Sequence, residues 1–334
     1  MLWKKKLVAI AFVVFTVLPC IHIAQGDDKI TPLTGASVDP FLEAVPDPQP
    51  EGQQVSYLQE QIATEHCEHC NRSNHTLFLW SSAPYASDDP FGGPLVTDRP
   101  DFTEASSTVG QGTVQLEMGY TFTRDKEPGG EVKSQTYPET LFRIGMLADW
   151  FELRIGYTFA EEKTKNAPAG NGRVRGNDDL YLGVKLWLTE QQGILPEMTI
   201  LPQMLVPTGS NAFTNDQVLA GVNWLYSWDL TENLSLAGSS QINRTRDDVG
   251  HYYSEFAQSV ALGLGITDEV GVYMEYYGFF PTSAVAANVG AEHYMNGGVA
   301  YLYNDNVQFD VRVGTGLNRR ANDFFTGAGV SLRF

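Results

Sequence analysis

From Gly112 to Phe334 apolar and polar residues alternate with a period of two, and no other feature limits the possible folds so tightly. Val114, Leu116, Met118, Tyr120 and Phe122 share one face of an extended chain; Thr113, Gln115, Glu117, Gly119 and Thr121 share the other. An α-helix would scatter both sets around its axis. The pattern recurs at Leu153, Ile155, Tyr157 and Phe159, at Leu180, Leu182, Val184, Leu186 and Leu188, and at Val307, Phe309, Val311 and Val313. Strands with one apolar and one polar face build either a soluble sandwich or a membrane barrel.

The spacing of the breaks separates these two. Short polar breaks fall at Asp149, Thr189-Glu190, Thr231-Glu232-Asn233, Thr267-Asp268-Glu269 and Asn304-Asp305-Asn306, roughly 36 to 42 residues apart. Each interval holds two strands and one longer connection, near 125–135, 163–177, 207–215, 245–252, 280–290 and 318–323. Short turns alternating with longer loops mark a transmembrane antiparallel up-and-down β-barrel, here of about 12 strands. The last strand adds to this: Ala328, Val330, Leu332 and Phe334 alternate with Gly327, Gly329, Ser331 and Arg333, and the sequence ends on the aromatic ring. A terminal Phe on such a strand resembles an assembly signal for outer-membrane barrels, so Phe334 is read as that signal. Tyr120, Phe122, Trp150, Phe151, Trp224, Tyr226, Trp228, Tyr301 and Tyr303 stand where strands would cross a membrane interface.

The N-terminus fits export. Lys4, Lys5 and Lys6 precede an apolar run from Leu7 to Ala24 and a small-residue ending, Ala24-Gln25-Gly26, which together read as a signal peptide over residues 1–26. Cys20 leaves with it. The composition that follows, residues 27–98, is acidic and Pro-rich, with twelve acidic residues against Lys29 and Arg72, and reads as a flexible periplasmic segment. Within it Val55, Leu58 and Ile62 have helical spacing, a stripe of about two turns that suggests self-association. His66-Cys67-Glu68-His69-Cys70 follows, with His75 nearby. Cys67 and Cys70 admit a disulfide, within or between chains, or a metal site with His66 or His69. Asn71 in place of a histidine disfavours covalent haem. No cofactor is expected, and a net charge of -18 argues against nucleic acid as a partner.

In a barrel the polar face lines the lumen. Parity places Glu117, Glu139, Glu152, Glu275 and Asp310 inside, with Arg143, Arg154, Lys185, Arg312 and Arg333. Equal numbers of each sign suggest an ion-pair network rather than an ion filter. About twelve strands lies between barrels filled by their own side chains and wide aqueous pores, so the lumen should be narrow or plugged. The stretch before Gly112 is placed to enter from the periplasm as plug or gate.

Thr97-Asp98-Arg99-Pro100-Asp101-Phe102-Thr103-Glu104, followed by Gly112-Thr113-Val114-Gln115-Leu116-Glu117-Met118-Gly119-Tyr120, resembles the opening signature of the meta-pathway phenol-degradation family, which groups with outer-membrane exporters of functional amyloid. The resemblance covers roughly residues 95–334 and implies a transport-type barrel. The coiled coil that supports trimers of the amyloid exporter is poorly matched by the stripe at Val55, Leu58 and Ile62. Independently of the family, Asp98, Arg99, Asp101 and Glu104 are placed to pair with lumen charges at the barrel mouth or to remain as solvated entry residues.

The chain therefore divides into a signal peptide (1–26), a periplasmic segment (27–98) and an outer-membrane barrel (99–334), with outer-membrane lipid and the barrel assembly machinery as partners. The expected function is a channel or transporter for a small-molecule or polypeptide cargo; a structural or surface-binding barrel is the alternative. Catalysis is not expected, because the barrel region holds only His251 and His293 and no nucleophile–base motif around either.

Overall fold

The computed structural model describes residues 93–334 except 128–129, 168–169, 248 and 287–288. The export signal, the helical stripe and the Cys67–Cys70 pair with its histidines lie outside the described residues. Thirteen strands follow one another: β1 (Val114–Glu127), β2 (Gly130–Gly145), β3 (Phe151–Ala167), β4 (Gly170–Asn177), β5 (Leu180–Thr189), β6 (Glu197–Val206), β7 (Leu219–Thr231), β8 (Leu234–Arg246), β9 (Tyr252–Gly265), β10 (Val270–Thr282), β11 (Glu292–Asn304), β12 (Val307–Gly316) and β13 (Phe324–Arg333). Neighbours in sequence pair antiparallel except β4 and β5, which both pair with β3, and β1 pairs with β13 from Gln115↔Arg333 to Arg124↔Phe324, which closes the ring. Closure pairs the staves on both sides and leaves β4 with a partner on one side alone, so the ladder hydrogen bonds of the ring are satisfied without water, as a membrane requires.

Strands β4 and β5 are one crossing, interrupted at Asp178-Asp179. β3 pairs with β4 in its outer half, at Phe159↔Asn177, and with β5 in its inner half, from Phe151↔Leu186 to Gly156↔Tyr181. The amide of Asp178 donates to the Thr158 carbonyl at 2.9 Å and carries the ladder across the break. The protein is thus a closed antiparallel barrel of twelve staves.

Five connections, after β2, β5, β7, β9 and β11, lie at one end with Gly112 and Phe334; the other end carries the longer connections after β6, β10 and β12, the one after β8, and the ends of the β1–β2 and β3–β4 hairpins. The stretches 125–135 and 163–177, expected as loops, are instead strand for nearly their whole length: β2 runs for 16 residues and β3 for 17. A membrane crossing needs only about 9–11 residues. The two hairpins therefore project past the other staves, and charge-rich sequence that reads as loop is held as sheet by ion pairs such as Arg124–Glu131 at 2.6 Å.

The barrel is built inside out. Gln115, Glu117, Thr199, Asn223, Ser239, Ser259, Asn296 and Ser331 are buried, whereas Phe142, Tyr157, Trp224, Ile242, Phe256, Leu262, Val299 and Phe309 are exposed on the alternate positions. Apolar side chains outside and polar ones inside are the arrangement that lipid selects. One apolar cluster interrupts the polar interior: Tyr294, Phe325 and Ala321 with Tyr277 and Phe279. Phe334 sits just past β13 with its ring exposed, and its amide and carbonyl pair with Val114 at 2.8 and 3.2 Å.

Candidate functional site

The lumen is occupied by the chain itself. Residues 93–112, ahead of β1, do not hang below the barrel but run into it, crossing from stave to stave before β1 begins. The amide of Leu95 donates to the Asp305 carbonyl at the β11–β12 turn at 2.8 Å. Gln115 Nε2 donates to the Val96 carbonyl and Gln308 Nε2 to Thr97 Oγ1. The amides of Phe102 and Thr103 donate to the two oxygens of Glu275 on β10, at 2.8 and 2.7 Å. Thr103 Oγ1 lies 2.6 Å from Ser259 Oγ on β9. Farther along, Ser106 Oγ meets Glu197 on β6 and Ser227 on β7, and the Val109 amide donates to Glu152 on β3. Lacking any ladder of its own, the segment satisfies its backbone with carboxylates of the wall.

Asp98 is the charge centre of this crossing. One carboxylate oxygen takes hydrogen bonds from Lys185 Nζ at 3.0 Å and from the Ala105 amide at 2.9 Å. The other faces Arg154 Nη1 at 2.5 Å and Arg143 Nε at 3.3 Å. Three wall cations therefore converge on one carboxylate of the segment. Burial by itself pushes the Asp98 carboxyl up, but the fields of Arg143, Arg154 and Lys185 together hold it well below the usual carboxylate range. Arg154 also binds Glu104 at 2.7 Å, and Arg143 binds Glu117 at 3.2 Å and Glu152 at 2.8 Å.

Arg99 mirrors this with opposite sign. Its guanidinium donates from Nε and Nη2 to the two oxygens of Asp310 on β12, at 3.2 and 3.3 Å, and from Nη1 to Glu139 on β2 at 3.1 Å. Between those acids stand Gly119 and Gly329, directly paired across the β1–β13 seam. A Cβ on either glycine would collide with the guanidinium, so the missing side chains are the notch that admits it.

The sequence-predicted residues thus fall into groups. Glu117, Arg143, Glu152, Arg154 and Lys185 surround Asp98, while Glu139 and Asp310 hold Arg99 and Glu275 binds the backbone of Phe102 and Thr103. Arg312 donates to the Pro100 carbonyl at 2.9 Å and to Thr121 Oγ1 at 3.0 Å. Arg333 does not line the lumen: it stands at the rim, where it donates to Asn306 Oδ1 and to the Gly93 carbonyl, because parity gives the side of a wall but not the depth. The ion pairs also do not simply span the bore from wall to wall; they converge on Asp98 and Arg99 of the entering segment. Phe102 stacks on Tyr277 at 4.5 Å and 10°, and Tyr277 on Tyr294 at 4.8 Å, which joins the segment to the interior aromatic cluster.

Pro100 and Asp101 line both a cavity of about 430 Å³ toward the loops and one of about 370 Å³ toward the turns. The segment therefore partitions the bore. Burial and the nearby Glu275 carboxylate push the Asp101 carboxyl well above its ordinary value. Of the histidines considered for chemistry, His251 lies in a loop with its amide on Asp247 Oδ1, and His293 Nδ1 lies 2.8 Å from the Tyr276 hydroxyl, on the strand face opposite the lumen-side Tyr294. Thr103 and Gly119 lie within the quoted signature but carry no charge, and Ser106, Gly329 and Tyr277 lie outside it, so sequence reasoning assigns none of the five a partner.

Residues 97–334 match the sequence profile of the family described as "Putative MetA-pathway of phenol degradation". No curated protein matches the chain. Among solved structures, the COG4313 outer membrane channel from Pseudomonas putida F1 aligns with a TM-score of 0.56 and 11% identity, over 71% of this chain and 99% of that one. The transport unit of the autotransporter AIDA-I from Escherichia coli aligns more weakly, with a TM-score of 0.46 and 11% identity over 71% of this chain and 93% of that one.

Proposed function

We propose that this chain, which belongs to the family described as "Putative MetA-pathway of phenol degradation", is an outer-membrane channel for small solutes whose bore is closed by residues 97–109 acting as a plug. The carrying observation is that Asp98 and Arg99 take their partners from the lumen wall, so the segment is docked by contacts that can be broken and remade. A permanent filling would gain more from apolar packing, because a buried ion pair returns little net stability. The plug is tethered where it runs into β1 and can swing without leaving. The 430 Å³ cavity beyond it suits a small molecule and not a folded polypeptide. Short turns and the entering segment face the periplasm, and the longer loops face outward, as in bacterial barrels generally.

Liposome swelling tests the proposal. Vesicles carrying the wild-type chain should admit small sugars slowly, and those carrying an Arg99→Ala variant several times faster, with both barrels resisting detergent unfolding alike. Equal rates would contradict a plug.

A further inference from the structure

The chain carries a net charge of -18, yet its longest hairpins concentrate positive charge on one outer face. Thr121 points into the lumen, where its hydroxyl accepts a hydrogen bond from Arg312, so its neighbours Tyr120, Phe122 and Arg124 point out. On that outer face Arg124 is registered directly with Lys133, Lys133 with Lys163, and Lys163 with Arg173. Four cations thus lie in one row across four strands, with side chains 39%, 32%, 37% and 55% exposed.

Like charges placed directly opposite one another on a sheet are destabilising, so a row of four has a cost that the fold alone does not require. Two carboxylates relieve part of it. Glu131 binds Arg124 at 2.6 Å and Lys133 at 3.5 Å, while Glu161 binds Lys163 at 2.6 Å and Arg173 at 2.5 Å. Each acid is shared by two bases, and exposed Lys126, Lys165 and Arg175 on the same face enlarge the surplus.

Depth identifies what could neutralise it. Below the row, toward the membrane, Tyr120, Tyr137 and Phe159 form an aromatic line with centroids 6.4 and 5.7 Å apart. Aromatic rings of this kind sit at the headgroup level of a bilayer, so the cations lie just beyond the apolar core, beside the phosphates of the outer leaflet. Lysine and arginine clusters at that depth bind anionic headgroups, and arginine matches phosphate with two parallel hydrogen bonds.

We propose that the row Arg124, Lys133, Lys163 and Arg173 binds the phosphorylated headgroup of the outer-leaflet glycolipid and fixes the projecting hairpins against it. The proposal rests on the orientation given above, with loops outward.

Native mass spectrometry of the full chain refolded in detergent, titrated with bis-phosphorylated lipid A, tests it. The probe variant is Lys133→Gln/Lys163→Gln, which removes two opposed cations and leaves Glu131 with Arg124 and Glu161 with Arg173. Wild type should bind lipid A about tenfold more tightly than does the variant, and Lys133→Arg/Lys163→Arg should retain wild-type binding. Equal binding by wild type and the Gln variant would overturn the proposal. So would equal binding of dephosphorylated lipid A, or of phosphatidylglycerol, which would mark a general anionic surface. The orientation is read separately with Lys165→Cys in a Cys67→Ser/Cys70→Ser background: an impermeant maleimide should label it on intact cells. Labelling only after permeabilisation would overturn the orientation and the glycolipid assignment together, and would leave the closed lumen untouched.

Discussion

Arg99 and Asp310, 211 positions apart in sequence, are joined by two hydrogen bonds of 3.2 and 3.3 Å inside the barrel. The bond ties the segment ahead of the first strand to the twelfth, and its strength should govern how long the lumen stays closed. Both groups are largely screened from water, with side chains 12% and 0% exposed. Removing one partner of such a pair costs about 3–5 kcal/mol in a closed interior, and the adjoining cavities bring the expected loss toward the lower end. Arg99→Ala should therefore raise the open fraction of the channel at least tenfold. Single-channel recording reads this directly, and an unchanged open fraction would show that the segment is held by other contacts.

The notch at Gly119 and Gly329 makes a second, chemically distinct prediction. Gly329→Val leaves Arg99, Glu139 and Asp310 in place but fills the space the guanidinium needs. The variant should assemble as a barrel and behave like Arg99→Ala. Combining the two should add little, because both remove the same contact. Full additivity in a double-mutant cycle on open fraction would separate the glycines from the arginine.

Acidity should close the channel further. Asp101 binds its proton more tightly in the docked segment than in water, so docking gains from the protonated form. That gain is complete below the ordinary carboxylate value of about 4 and is lost as pH rises through the raised value in the docked state. Asp98 runs the other way: its docked value is depressed, so its contribution is complete above the ordinary carboxylate value of about 4 and is lost progressively as pH falls from there toward the docked value. Between neutral pH and about pH 5 the Asp101 effect should dominate, and open probability should fall. Asp101→Asn should mimic the protonated state, giving a lower open probability with little dependence on pH over that interval. A wild-type channel that opens on mild acidification would contradict this assignment.

Phe102 supplies the apolar part of docking. Its stacking on Tyr277 and edge contact with Phe279 at 5.4 Å should be worth about 2 kcal/mol. Phe102→Ala should speed amide exchange across 97–109 by more than tenfold while leaving the strands protected. Hydrogen exchange measured by mass spectrometry separates the two regions.

How far these features could be read from sequence differs from residue to residue. The face on which Glu117, Arg143 or Lys185 stands follows from parity, since a strand turns every second side chain the same way. Parity is blind to depth, which is why Arg333 is a rim residue. It is equally blind where a strand carries charge on its outer face: Lys133 and Lys163 look like loop because the usual apolar signal is missing beyond the membrane. The pairing of Gly119 with Gly329 depends on ring closure between strands about 200 residues apart, and nothing local encodes it. Asp98 and Arg99 stand out by their charge within the motif, whereas Thr103, in the same motif, and Ser106, just beyond it, are uncharged and lie in a stretch with no periodicity from which a partner could be inferred.

The most direct test is a reversible lock. Thr103 and Ser259 place their hydroxyl oxygens 2.6 Å apart, within reach of a disulfide if both become cysteine. In a Cys67→Ser/Cys70→Ser background, Thr103→Cys/Ser259→Cys should give silent bilayers when oxidised and resume wild-type single-channel activity on addition of reductant. Undiminished conductance through the oxidised, fully cross-linked protein would show that solutes pass with the segment in its seat, and the plug would be no gate.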